Sequence, residues 1–169
     1  DLGIKNKLLS YHDHSNDSKI NYFLKLLKEG ASLAIISDAG TPLISDPGYE
    51  LVAKAIDEKI KVTSIPGPSA VISALISSGL STSSFVFEGY APKKKSQLET
   101  FLKNLQYEMK TIILFESPKR IERLVQMIVK ILGPKRKVSL AKELTKKFER
   151  VITDAVSYTH LTLPTIGYV

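Results

Sequence analysis

Apolar residues recur along this chain at two spacings. In residues 16–29, Ile20, Phe23, Leu24, Leu26 and Leu27 fall on one helical stripe, and Gly30 follows as a stop. The spacing predicts a packed helix. Residues 33–36 are instead a short continuous apolar run ending at Ser37-Asp38, the pattern of a strand buried on both faces. Residues 47–58 place Leu51, Val52, Ala55 and Ile56 on a second helical stripe. Residues 61–65 supply a second strand closed by Pro66-Gly67-Pro68, and residues 69–78 a third helix with Ser69 as N-cap. Strand, loop and helix repeated in this order predict a parallel doubly wound sheet. Two strands are few for such a sheet, so a further strand is expected before Asp1.

The small polar stretch GLSTSS at 79–84 reads as a linker. Beyond it the pattern predicts a strand at 85–87, a helix at 97–105, a strand at 111–115 and a helix at 118–132 stopped by Gly133-Pro134. Strands are expected at 138–141 and 150–153. The predicted class is α/β in two domains: a parallel doubly wound N-terminal domain over residues 1–81 and a C-terminal α/β domain of mixed strand direction over residues 82–154. Residues 155–169 carry no Asp, Glu, Lys or Arg. That change of texture reads as a tail foreign to the fold, with a β-hairpin edge as the alternative.

Composition narrows the setting. A chain of 169 residues with 43% hydrophobic residues can bury a real core. No apolar run approaches the ~20 residues of a membrane-spanning helix. The absence of cysteine excludes disulfides and thiolate metal sites. A soluble, cytoplasmic protein is expected. The net charge of +7 is unevenly placed: up to Ser81 there are 8 Lys and Arg against 9 Asp and Glu, and after it 16 against 8. The basic half suits a polyanion such as RNA, although a lysine-rich solvated surface accounts for the same count.

Ligands of open parallel sheets bind beyond the carboxyl ends of strands. Two loops fall there. SDAGTPLISDPG at 37–48 offers Gly40, where the backbone can approach a ligand closely, and the Asp38 carboxylate as an acceptor for a ribose or an amine. IPGPSA at 65–70 is stiffened by two prolines and presents Ser69 and the first N–H groups of a helix. One such loop is an ordinary capped turn; two at equivalent strand ends favour a binding site. Neither GxGxxG nor GxxxxGK[ST] is present.

These two motifs, followed in order by FESPKR at 115–120 and AKELTKKFE at 141–149, with SYHDH at 10–14, resemble the small-subunit ribosomal RNA cytidine 2'-O-methyltransferases of the tetrapyrrole methylase superfamily. The resemblance runs from about residue 4 to 154. It implies a two-domain enzyme, commonly a homodimer, that binds S-adenosyl-L-methionine between its domains and methylates a cytidine ribose. Carried over by motif position, Asp38, Gly40, Thr41, Ser69, Ala70 and Phe115 are the cofactor contacts. Lys119 stands where the family usually has histidine, and the superfamily's first strand with its cofactor loop is not in the sequence.

For the substrate, Lys93, Lys94, Lys95, Lys119 and Arg120 are the candidate RNA contacts, and Lys135-Arg136-Lys137 is a second basic run. Asp38, Asp46 and Glu116 are carboxylates at strand ends or their loops. Each also has a structural role to fill, Asp46 as a cap for the helix at 47–58 and Glu116 as a partner of Arg120, so none is assigned as a base. His12 and His14 form an HxH pair in a polar loop, where a surface role outweighs a metal site. Two other functions fit parts of the pattern: a methylase of a tetrapyrrole or diphthamide precursor, which needs no basic domain, and a non-catalytic RNA-binding module.

Overall fold

The computed structural model describes residues 6–12 and 17–159. They form two compact units that divide between Pro68 and Ser69.

The first unit is built on α1 (Asp17–Lys28) and α2 (Tyr49–Asp57). Ile20, Phe23 and Leu24 of α1 bury against Leu51 and Ala55 of α2, with Tyr11, Leu26 and Ile60 packed around them. The predicted helical stripes therefore face each other. Lys54 of α2 bonds Asp17 of α1 at 2.7 Å. That contact holds the Asp17 carboxyl below its usual range and lifts the Lys54 ammonium above its own. Residues 33–36 and 61–65 differ from expectation, since neither has a ladder partner among the described residues. Ile36 and Ile65 are largely exposed. An apolar run specifies burial, but a strand exists only through hydrogen bonds to a neighbour.

The second unit begins with α3 (Ala70–Ser77), followed by β1 (Phe85–Tyr90), α4 (Lys95–Asn104), a short 3-10 turn, β2 (Thr111–Phe115) and α5 (Ile121–Leu132). It ends with β3 (Lys137–Lys142), β4 (Arg150–Ala155) and α6 (Val156–Thr159). β1 and β2 pair in parallel, and β3 and β4 form a separate antiparallel hairpin. The core gathers Leu98 and Leu102 of α4, Leu124, Val125, Met127 and Ile128 of α5, and Val156. Leu102, Val125 and Val156 are almost completely buried, each stabilising the unit by about 1.5–3 kcal/mol.

α3 packs within this unit: Val71 and Leu75 bury against Ile113, flanked by Phe87 and Phe115. At its end, Thr153 Oγ1 donates to the Ser78 carbonyl at 2.7 Å. The compact units accordingly divide at Pro68, ahead of the polar linker at 79–84. The first residues after the change of texture at 155 pack with this unit. Ala155 pairs with Lys137 in β4, Val156 N donates to Arg136 O at 2.8 Å, and the Val156 side chain fills the core.

No described helix is long and apolar enough to cross a membrane.

Candidate functional site

The loop at 37–48 is held by local backbone geometry. The Ser37 hydroxyl closes a tight turn, accepting from Ala39 N and donating to Ala39 O. Gly40 lies at φ 75, and a Cβ placed there meets nothing within 4 Å, so its backbone borders open space. Leu43 and Ser45 also take positive φ, a strained conformation for residues with a side chain. Gly48 at φ 133 is buried, and a Cβ on it would lie 2.9 Å from Leu43 Cδ1. It is also the N-cap of α2, with no side-chain cap bond. The helix starts at Tyr49, so Asp46 does not cap it as expected.

Within the first unit, Thr41 Oγ1 of one motif loop donates to the Pro68 carbonyl of the other at 2.8 Å. Asp38, Gly40 and Thr41 are all exposed. The next residue in the chain, Ser69, caps α3 as expected, its hydroxyl accepting from Ile72 N at 3.4 Å. Ala70 opens that helix and is exposed.

In the second unit the candidate residues collect at the carboxyl ends of β1 and β2. Phe115 is partly buried, with Phe87 and Tyr90 edge-on to its ring at 4.9 and 5.6 Å. Glu116, its side chain only 5% exposed, pairs with Arg120 Nη2 and accepts from Ser117 N at 2.7 Å. Arg120 also donates through Nε to Ser117 Oγ at 3.3 Å and through Nη1 to Ala91 O at 3.4 Å. Its guanidinium is thus held on three sides, whereas Lys93, Lys94, Lys95 and Lys119 are exposed.

Sequence reasoning missed Arg123, whose Nη1 donates to Lys93 O at 3.3 Å. Its position three residues beyond Arg120, on the same helical face, was the available signal. Together the two arginines tie α5 to the backbone of the lysine loop.

AKELTKKFE lies on the β3–β4 hairpin, where Glu143 and Thr145 take positive φ and Thr145 N donates to the Glu149 carboxylate. Phe148 is exposed there, with Lys147 Nζ 5.6 Å from its ring centroid. Of the second basic run, Arg136 donates to Glu108 O at 3.2 Å, and Lys135 and Lys137 are exposed. His12 is exposed, and His14 lies outside the described residues. Among the described residues no three or more His, Cys, Asp or Glu gather as metal ligands.

Comparison with known proteins gives the class. The family model of tetrapyrrole (corrin/porphyrin) methylases matches residues 5–157, and the chain belongs to that family. It is 45% identical over 151 residues to the ribosomal RNA small subunit methyltransferase I of Mesorhizobium japonicum, covering 89% of this chain and 51% of that protein. The protein of the same name from Vibrio cholerae is 45% identical over 150 residues, covering 89% and 52%. The one from Mycobacterium tuberculosis is 41% identical over 152 residues, covering 90% and 53%. The chain spans about half the length of these curated relatives. The crystal structure of the methyltransferase CobJ shares the fold, with a TM-score of 0.60 at 16% identity over 83% of this chain and 63% of that one.

Proposed function

We propose that this chain carries much of the fold of an S-adenosyl-L-methionine-dependent methyltransferase that acts on the 2'-hydroxyl of a cytidine in small-subunit ribosomal RNA. The observation that carries the reading is the 41–45% identity to relatives named for that RNA, sustained over about nine-tenths of the chain.

The residues present fit the cofactor. Open space beside Gly40 admits a ligand to the backbone, and the exposed Asp38 carboxylate can accept from ribose hydroxyls. Thr41, tied to Pro68, fixes one motif loop against the other. Ser69, Ala70 and Phe115 complete the proposed set. When bound, S-adenosyl-L-methionine supplies a methyl group on a sulfonium, and its transfer is an in-line displacement that depends mainly on positioning. Lys93, Lys94, Lys95, Lys119 and Arg120 form the proposed RNA face, where ammonium groups neutralise phosphates. Glu116 is committed to Arg120 and Ser117 N, so no carboxylate is assigned as the base that takes the hydroxyl proton. A homodimer and a cytoplasmic setting belong to the same proposal.

The test is calorimetric titration with S-adenosyl-L-methionine together with transfer of labelled methyl to small ribosomal subunits. It is run on this chain and on a chain extended to the relatives' full length. Cofactor binding and RNA labelling by the extended chain are expected. Absence of both binding and transfer in the extended chain refutes the proposal, and labelling of a tetrapyrrole precursor but not RNA reassigns the acceptor.

A further inference from the structure

β1 and β2 keep register from Phe85 opposite Thr111 to Phe87 opposite Ile113, and then slip, so that Tyr90 stands opposite Phe115. Gly89, at φ 66, provides the left-handed residue that lets β1 carry one extra position. A bulge of this kind re-aims the side chain that follows it. Tyr90 emerges 60% exposed, its ring supported edge-on by Phe115, which is itself packed on Phe87.

The chain after Tyr90 is anchored at Ala91 and at Lys93. Ala91 N donates to Phe115 O, Ala91 O accepts from Arg120, and Lys93 O accepts from Arg123. A buttressed aromatic ring therefore stands at the head of a fixed loop bearing Lys93, Lys94 and Lys95.

We propose that Tyr90 is a base-stacking platform: its ring takes one unpaired RNA base while the following lysines take the adjoining phosphates. An exposed aromatic with a cationic strip is the pairing that binds single-stranded nucleic acid, because every base has a π-face and every linkage a negative charge. Charge decides against a second copy of this chain as the occupant. The exposed residues of the two adjoining loops include Lys93, Lys94, Lys95 and Lys119, which would face their own kind across a symmetric contact. The inference rests on the RNA-substrate reading above.

The chain has no tryptophan, so Tyr90→Trp creates a unique fluorophore at the platform. Two probes separate stacking from charge: a short cytidine-containing single-stranded RNA, and the same oligomer with abasic riboses at every position. Quenching of Tyr90→Trp by the first and not by the second is expected. Tyr90→Leu is expected to weaken binding of the first by about 5- to 150-fold with no change in salt slope, while Tyr90→Phe retains it. Equal affinity of Tyr90→Leu and the parent, or equal quenching by both oligomers, overturns the platform alone. So does a loss of affinity that tracks a change in sedimentation, since the ring then covers another copy. No RNA binding by the parent refutes the RNA reading itself and the platform with it.

Discussion

Replacing Glu116 by glutamine changes one charge at the carboxyl end of β2 and nothing in shape. In the parent the carboxylate is 5% exposed and the Arg120 side chain 25% exposed, so water screens neither strongly. The glutamine oxygen can still accept from Ser117 N. The Arg120 guanidinium, however, loses its counter-charge while remaining partly buried against Ala91 and Ser117. Loss of a charge-assisted bond is worth about 1.5–3 kcal/mol, and a partner left uncompensated in a buried pair raises the cost to about 3–5 kcal/mol. A quarter-exposed guanidinium belongs in the upper part of the first range, at about 2–3 kcal/mol. For a unit of this size that is a melting point lower by roughly 8–24 °C, followed by circular dichroism. The double variant Glu116→Gln/Arg120→Met removes the stranded cation as well, and is expected to be less destabilised than the sum of the two single changes. A melting point within about 1 °C of the parent for Glu116→Gln, or strict additivity in the cycle, refutes the reasoning.

Four further outcomes are expected. Gly48→Ala forces a Cβ against Leu43 at a backbone angle suited to glycine, and should lower the stability of the first unit by about 1–3 kcal/mol in urea unfolding. Ser69→Ala removes the cap of α3, a loss of about 0.5–1 kcal/mol given the long 3.4 Å bond, while Ser69→Asp should retain stability. Asp17→Asn tests the exposed pair with Lys54 by its pH dependence. The lowered Asp17 contributes above its unfolded value and loses that as pH falls through the folded one; the raised Lys54 contributes below its unfolded value and loses that as pH rises. The variant should therefore be the less stable near neutrality and match the parent in strong acid and strong base. Thr41→Val breaks the bond to Pro68 and should weaken S-adenosyl-L-methionine binding in calorimetry on the extended chain, with little change in melting point.

Local pattern determined a good deal of this protein. The helical stripes of α1, α2, α4 and α5, the Gly133 stop and the Ser69 cap follow from spacing and from single-residue chemistry, and all appear in the structure. The pairing of Glu116 with Arg120 was legible from their spacing, and in the structure it closes the turn that leads from β2 into α5. The order of the motifs was sufficient to place the chain in its family.

Tertiary structure decided what no local pattern encodes. Residues 33–36 and 61–65 have strand composition, yet a strand is a property of a pair, and no ladder forms on either among the described residues. The boundary between the units fell at Pro68 because Val71 and Leu75 meet Ile113, a contact between distant segments that outweighs a polar linker. Val156 became core by the way the hairpin closes on α4 and α5, despite the neutral stretch in which it lies. Arg120 and Arg123 were visible as charges, but their bonds to Ala91 and Lys93 depend on how β1 and α5 pack. Periodicity reports which face of an element is apolar; which distant face it meets is set only when the whole chain is folded.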